Sequence, residues 1–143
     1  MTGLELLRAI GAGELPSAPM AELMGLEAVE ADEGRVVFAV EPGPQHENAL
    51  GVAHGGLAAT LLDSAMGCAV HSTLPEGAGY TTLELKVNYT RPVTSAGGRL
   101  VCEGTVVHRG GRVATAEGRV VAEATGKLVA HGTTTCLIFP AEA

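Results

Sequence analysis

Apolar positions along the chain change period several times, and each change marks an element. Leu4, Leu7 and Ile10 recur at helical spacing, and Gly11 and Gly13 end that run, so the chain opens with a short amphipathic helix. After Pro16 and Pro19, Met20 to Leu26 has room for one further helical turn ending at Gly25. Two strands are expected next, Leu26–Ala31 and Arg35–Val40, joined by Asp32-Glu33-Gly34 as a tight turn with glycine where φ is positive. Gly43 and Pro44 break the sheet.

From Gly55 to Val70 the residues are apolar, small or neutral on every side apart from Asp63, which is how a helix buried on most of its surface reads. Beyond it, Leu83 to Thr90 alternates apolar and polar side chains, the pattern of a strand with one wet face. Arg91-Pro92 and Gly97-Gly98 end that strand and turn the chain. Three further strands are expected from Arg99–His108, Arg112–Ala124 and Lys127–Phe139, with hairpin signals at Gly110-Gly111 and Thr125-Gly126. One face of the fifth strand reads Arg112, Ala114, Ala116, Gly118, Val120, Ala122, and the helix carries Gly55, Gly56, Ala58, Ala59, Ala65, Gly67 and Ala69. Small residues on both partners let the backbones approach closely, as in an antiparallel sheet curled around a helix. The expected class is α+β, with a short N-terminal helix.

Length adds one constraint: 143 residues fit one domain, 1–143, with residues 1–22 as a helical segment packed on it. The uncharged stretch around the helix is too short to cross a bilayer, and the first ten residues lack a basic leader, so a cytoplasmic protein without a membrane anchor is expected. Net charge is −7, which argues against a nucleic-acid partner. The imbalance is local: Arg8 and Arg35 are the sole basic residues up to His71, whereas Lys86, Arg91, Arg99, Arg109, Arg112, Arg119 and Lys127 follow. Cys68, Cys102 and Cys136 are odd in number and unpaired in spacing, and the five histidines show no ligand motif, so neither disulfide nor metal site is expected.

Candidate chemistry centres on the turn that enters the long helix. A helix start offers unpaired N–H groups and a partial positive charge, and Gly55 and Gly56 leave them unobstructed for a carbonyl oxygen. Asp63 could act as nucleophile or general base, with Gly56, Ala59, Thr60 and Gly67 leaving a channel beside it. Gly55 and Asp63 are eight positions apart, or about 12 Å along a helix, too far to serve one carbonyl. If both act in one reaction, two copies must face each other across a two-fold axis, each Asp63 against its partner's Gly55.

Asn48-x-x-Gly51-x-x-His54-Gly55-Gly56, then Leu62-Asp63-x-Ala65, then Leu85-Lys86-Val87-Asn88-Tyr89-x-Arg91-Pro92 resembles the hotdog-fold acyl-CoA thioesterases of the phenylacetate-degradation (PaaI-like) type. The resemblance runs from about Leu23 to Ile138. It implies a hotdog fold of about five to six strands and hydrolysis of an aryl-acyl- or medium-chain acyl-CoA. It implies no cofactor beyond the coenzyme A of the substrate, and a homodimer or dimer of dimers. It gives Asp63 the catalytic acid's role, Gly55 the N–H that holds the thioester carbonyl, and His54 the adjoining loop position. Asn48 becomes the polar group beside the carbonyl or water, and Thr82 the hydroxyl that orients the water. Gly56, Ala59, Gly67 and Thr81 become substrate contacts, and Arg91, Arg109 and Arg112 candidate contacts to coenzyme A phosphates. A hydratase lacks the Asp-His pair it would need near the helix; a non-catalytic acyl-CoA-binding sensor is the remaining alternative.

Overall fold

In the computed structural model, which describes residues 1–142, the elements follow the order anticipated from periodicity. They are α1 (Gly3–Gly11), α2 (Pro19–Met24), β1 (Glu27–Asp32), β2 (Arg35–Val40), α3 (Gly55–His71), β3 (Gly79–Tyr89), β4 (Leu100–Arg109), β5 (Val113–Ala122) and β6 (Leu128–Phe139). All six strands join one antiparallel sheet in the order β1-β2-β4-β5-β6-β3, and the sheet curls around α3 in the hotdog arrangement.

Helix α3 sits on the sheet at a row of glycines. Gly104 on β4 pairs with Gly118 on β5, which pairs with Gly132 on β6. A Cβ on Gly104 would lie 2.4 Å from the Ala65 carbonyl, and one on Gly118 would lie 2.9 Å from Leu62 Cδ2. Side chains are missing from the sheet where the α3 backbone at Gly104 and the Leu62 and Met66 side chains at Gly118 need the space, while Gly132 makes room first for the Lys86 carbonyl of β3, 2.4 Å from its Cβ position. Leu61, Leu62, Ala65, Met66 and Ala69 then bury completely against Val36, Cys102, Ala116 and Val120. The small face expected on β5 is this seat: Ala114, Ala116, Gly118 and Val120 are all buried.

The N-terminal segment docks on one flank of α3. Thr2 and Glu5 form a reciprocal capping box that starts α1, and Gly3 packs so closely on the His71 carbonyl that no side chain fits. Gly25, with φ of 72°, terminates α2 in the left-handed region. Buried His46 ties the loop after β2 to this end. Its Nδ1 accepts from the Gly43 N–H at 3.0 Å, which leaves the proton on Nε2 to donate to the Met24 carbonyl at 2.7 Å.

Strand β3 departs from the sequence expectation. It begins at Gly79, four residues earlier than the alternation suggests, and it carries a bulge between Thr82 and Glu84. Leu83 is the extra residue. Simple alternation would place Leu83 on the same face as Leu85 and Val87; the bulge instead turns Thr82, paired to buried Cys136, toward the helix and leaves Leu83 58% exposed. The bulged backbone is held from β6, where the Thr134 hydroxyl donates to the Glu84 carbonyl at 2.7 Å. β3 is also a sheet edge, and no residue on it is fully buried.

Candidate active site

Asp63 projects from α3 beside β3, and the bulge brings a partner to it: the Thr82 hydroxyl donates to Asp63 Oδ1 at 2.9 Å. The second carboxylate oxygen takes no hydrogen bond from the described residues. Since no buried side-chain N or O lacks a partner among the described residues, that oxygen is open to solvent. Thr81, next in sequence, points to the opposite face and is exposed. The single residue of difference decides which hydroxyl meets the carboxylate.

A cavity of about 480 Å³ runs along α3 at this point, with Gly56, Ala59, Thr60 and Asp63 on its floor. Gly67 does not belong to it. Its expected open channel is filled by the ring of Tyr80, within 2.8 Å of where a Cβ would stand, so this glycine makes room for a tyrosine and not for substrate. Tyr80 also tilts against His71, ring centroids 5.5 Å apart. Cys68 lies behind it; burial pushes its thiol up to about 12, with the Asp63 charge adding to the shift and the Tyr80 hydroxyl opposing it. Burial likewise raises the Tyr80 hydroxyl, so both groups are neutral at ordinary pH.

The helix start forms the second half of the constellation. His54 caps α3: its Nδ1 accepts from the Gly56 N–H at 2.8 Å, so a neutral ring carries its proton on Nε2. The Leu57 N–H is taken by the His54 carbonyl at 3.0 Å. The Gly55 N–H has no partner among the described residues, and Gly55 is exposed. Tyr89 from β3 donates its hydroxyl to the Gly55 carbonyl, fixing this first peptide from the other side. One unpaired donor thus remains at a positively polarised helix end.

Asn48 shapes the turn through its side-chain carbonyl oxygen. Its Oδ1 accepts from Leu50 N–H at 2.9 Å and from Val52 N–H at 3.4 Å, an Asx turn that shapes the loop into α3. The three arginines do not converge within the chain. Arg91 lines a second, smaller cavity with His54, Gly55 and Tyr89, and donates to the Leu128 carbonyl. Arg109 and Arg112 stand exposed at the β4–β5 hairpin, at the far end of the helix. No cluster of three or more His, Cys, Asp or Glu side chains suited to a metal occurs among the described residues, and no helix among them is long and apolar enough to cross a membrane.

A charged helix residue beside a cavity, a hydroxyl on it, and an unpaired N–H at a glycine turn are groups suited to hydrolysis at a carbonyl. Comparison with known proteins agrees. The thioesterase superfamily profile matches residues 50–129. A Halobacterium salinarum protein named as an esterase is 38% identical over 109 residues, 71% of this chain and 68% of that protein. Human acyl-coenzyme A thioesterase 13 is 33% identical over 104 residues, 73% of each. The structure of a single-residue mutant of the phenylacetic acid degradation protein PaaI from Thermus thermophilus superposes with a TM-score of 0.75 at 33% identity, covering 84% of this chain and 98% of that one. The chain belongs to the thioesterase superfamily. Thioester hydrolysis is accordingly its chemistry.

Proposed function

We propose that the protein hydrolyses acyl-CoA thioesters, aryl-acyl or medium-chain, at a site assembled from two subunits, as in the PaaI-like branch of the superfamily. The observation that carries this reading is the pairing of Asp63 with Thr82 at one point of α3 and the unpaired Gly55 N–H at another, eight residues away. At helical rise that is about 12 Å, so one thioester reaches both if a second copy lays its α3 antiparallel alongside. Edge strand β3 supports such pairing: it is eleven residues long and exposes Leu83, Leu85 and Tyr89.

In this site a water held by Thr82 and Asp63 attacks the thioester carbonyl carbon, and its proton passes to Asp63. The oxyanion rests on the partner's Gly55 N–H. Collapse reforms the carbonyl and breaks the C–S bond; the departing coenzyme A sulfur takes the proton from Asp63. Direct attack by Asp63, giving an anhydride that water then opens, uses the same atoms. Neither route needs a cofactor beyond the coenzyme A of the substrate.

Gly55→Pro isolates the donor. Proline suits the first helical position and lacks the N–H, and His54 already has the extended ψ of 138° that a following proline requires. Its added Cβ would stand 3.3 Å from the Tyr89 hydroxyl, so Gly55→Ala, which adds the same Cβ and keeps the N–H, is the control. Release of thiol from an acyl-CoA panel should fall at least 100-fold in both Asp63→Asn and Gly55→Pro. Mixed in equal amounts and re-equilibrated, the two variants should recover roughly a quarter of wild-type activity, because half of the dimers keep one intact site. Hybrids that form without recovery would refute the shared site. Wild-type binding of acyl-CoA without turnover would instead favour the sensor reading.

A further inference from the structure

The cavity beside Asp63 has two unlike halves. The half formed by Gly56, Ala59, Thr60, Asp63, Ser64 and Tyr80 comes from the segment shared with the superfamily. The other half comes from outside that segment: Leu7 and Ile10 of α1, Met20 and Ala21 of α2, Ala28 of β1 and Phe38 of β2. Among the described residues Asp63 is the one charged side chain on the wall, and it stands in the shared half. The outer half is apolar apart from Ser17 at the start of α2's approach.

We propose that this chamber, walled by the N-terminal segment of the same subunit, holds the acyl chain, and that α1 and α2 set its length. The proposal rests on the thioesterase reading and supplies its substrate class: uncharged, apolar, predominantly aliphatic acyl groups. A thioester carbonyl placed at Asp63 directs its chain away from the carboxylate into the N-terminal half. There each added methylene removes about 30 Å² of apolar surface from water, equivalent to about a fourfold gain in kcat/KM per methylene until the chamber is full. A chain ending in a carboxylate would leave that charge unpaired among Leu7, Ile10 and Phe38 and be rejected. A hydroxylated ring would find a single polar side chain, Ser17, at that end, while a bare phenyl group would fit without added selectivity. The volume of about 480 Å³ lies within the usual range for small-molecule sites.

The test measures kcat/KM for straight-chain acyl-CoAs from acetyl to hexadecanoyl, with succinyl-CoA and hydroxyphenylacetyl-CoA alongside. Wild type should climb with chain length and then stop, and should turn over succinyl-CoA at least 100-fold less well than hexanoyl-CoA. Ala21→Phe narrows the chamber and should lower the dodecanoyl-to-butyryl ratio at least tenfold; Ile10→Ala enlarges it and should move the maximum to longer chains. Ile10 is only half-buried, so one informative variant remains if the other does not fold. A length profile unmoved in the variants that fold, or efficient turnover of succinyl-CoA, overturns the proposal while leaving Asp63-dependent hydrolysis standing. Absence of any Asp63-dependent hydrolysis would instead refute the underlying thioesterase site.

Discussion

Gly104→Ala should unseat the helix and disarm the site together. The new Cβ would stand 2.4 Å from the Ala65 carbonyl carbon and oxygen and 2.6 Å from the Met66 nitrogen, all backbone atoms that no rotamer change can move. Restoring an ordinary contact of about 3.5 Å demands a shift of roughly 1 Å between β4 and α3. Overpacking of this kind costs about 1–3 kcal/mol, which for a chain of this size lowers Tm by roughly 3–10 °C. Asp63 lies two residues before Ala65 on the same helix, so it moves as well, and its hydrogen bond to Thr82 begins at 2.9 Å. An extra ångström takes that pair beyond hydrogen-bond reach.

A misplacement of about 1 Å at a reacting group can cost on the order of 100-fold in rate. Gly104→Ala should therefore lower kcat by one to two orders of magnitude with a smaller change in KM, measured by thiol release beside a calorimetric Tm. Gly111→Ala is the control: it has no heavy atom within 4 Å of its Cβ position and no positive φ, and should stay within about 0.5 kcal/mol of wild type. A Gly104→Ala protein with unchanged Tm and kcat would refute the claim that the glycine row seats α3 and aligns Asp63.

Thr82→Val keeps the shape of the side chain and removes the donor to Asp63, so kcat should fall about 10- to 100-fold, whereas Thr82→Ser should retain most of it. Tyr89→Phe releases the Gly55 carbonyl; kcat should drop several-fold with KM nearly constant, and no loss at all would remove Tyr89 from the positioning of that peptide. Burial lowers the His71 pKa below its usual 6.5, so the folded state resists a proton that the unfolded chain accepts. That contribution is complete above about pH 6.5 and is lost as pH falls toward the folded value; His71→Gln should flatten the acid limb of a Tm-against-pH profile. Burial raises the Cys102 thiol to about 12, so its contribution is lost between the unfolded value near 9 and about 12, and Cys102→Ala should reduce the fall in Tm over that alkaline range.

Much of the fold was legible because helix and strand periods are local properties. The uniform apolar surface of α3, the small face of β5 and the turns at Gly34 and Gly126 each follow from a few neighbouring residues, and both glycines have positive φ. Asp63 and the glycine turn were legible for a related reason: a lone carboxylate in an apolar helix and two glycines at its start stand out in sequence. Contacts made across the chain were not. Gly67 looks like a gap, yet Tyr80, thirteen residues on, occupies it. The arginines share a sign and a half of the chain but stand at opposite ends of the helix, because β3 and β4 run in opposite directions in the sheet, so the end of β3 beside Arg91 and the β4–β5 hairpin with Arg109 and Arg112 lie far apart.

The bulge in β3 shows most directly why local pattern fails at the site. Leu83, Leu85, Val87 and Tyr89 alternate without a break, and nothing among them signals an inserted residue. What holds the irregularity is Thr134, fifty residues later, whose buried hydroxyl donates to the Glu84 carbonyl. Thr134→Val would remove that donor at nearly constant volume and leave the carbonyl less well satisfied, at a cost of about 1–3 kcal/mol. Regular pairing would then become competitive, and a one-residue slip would carry Thr82 to the outer face and Leu83 to the inner one. Activity should consequently fall further than stability accounts for, and the loss should resemble that of Thr82→Val. Combining the two substitutions separates the explanations: if Thr134 acts through the bulge, Thr134→Val should add little to the kcat already lost in Thr82→Val, whereas independent effects would multiply.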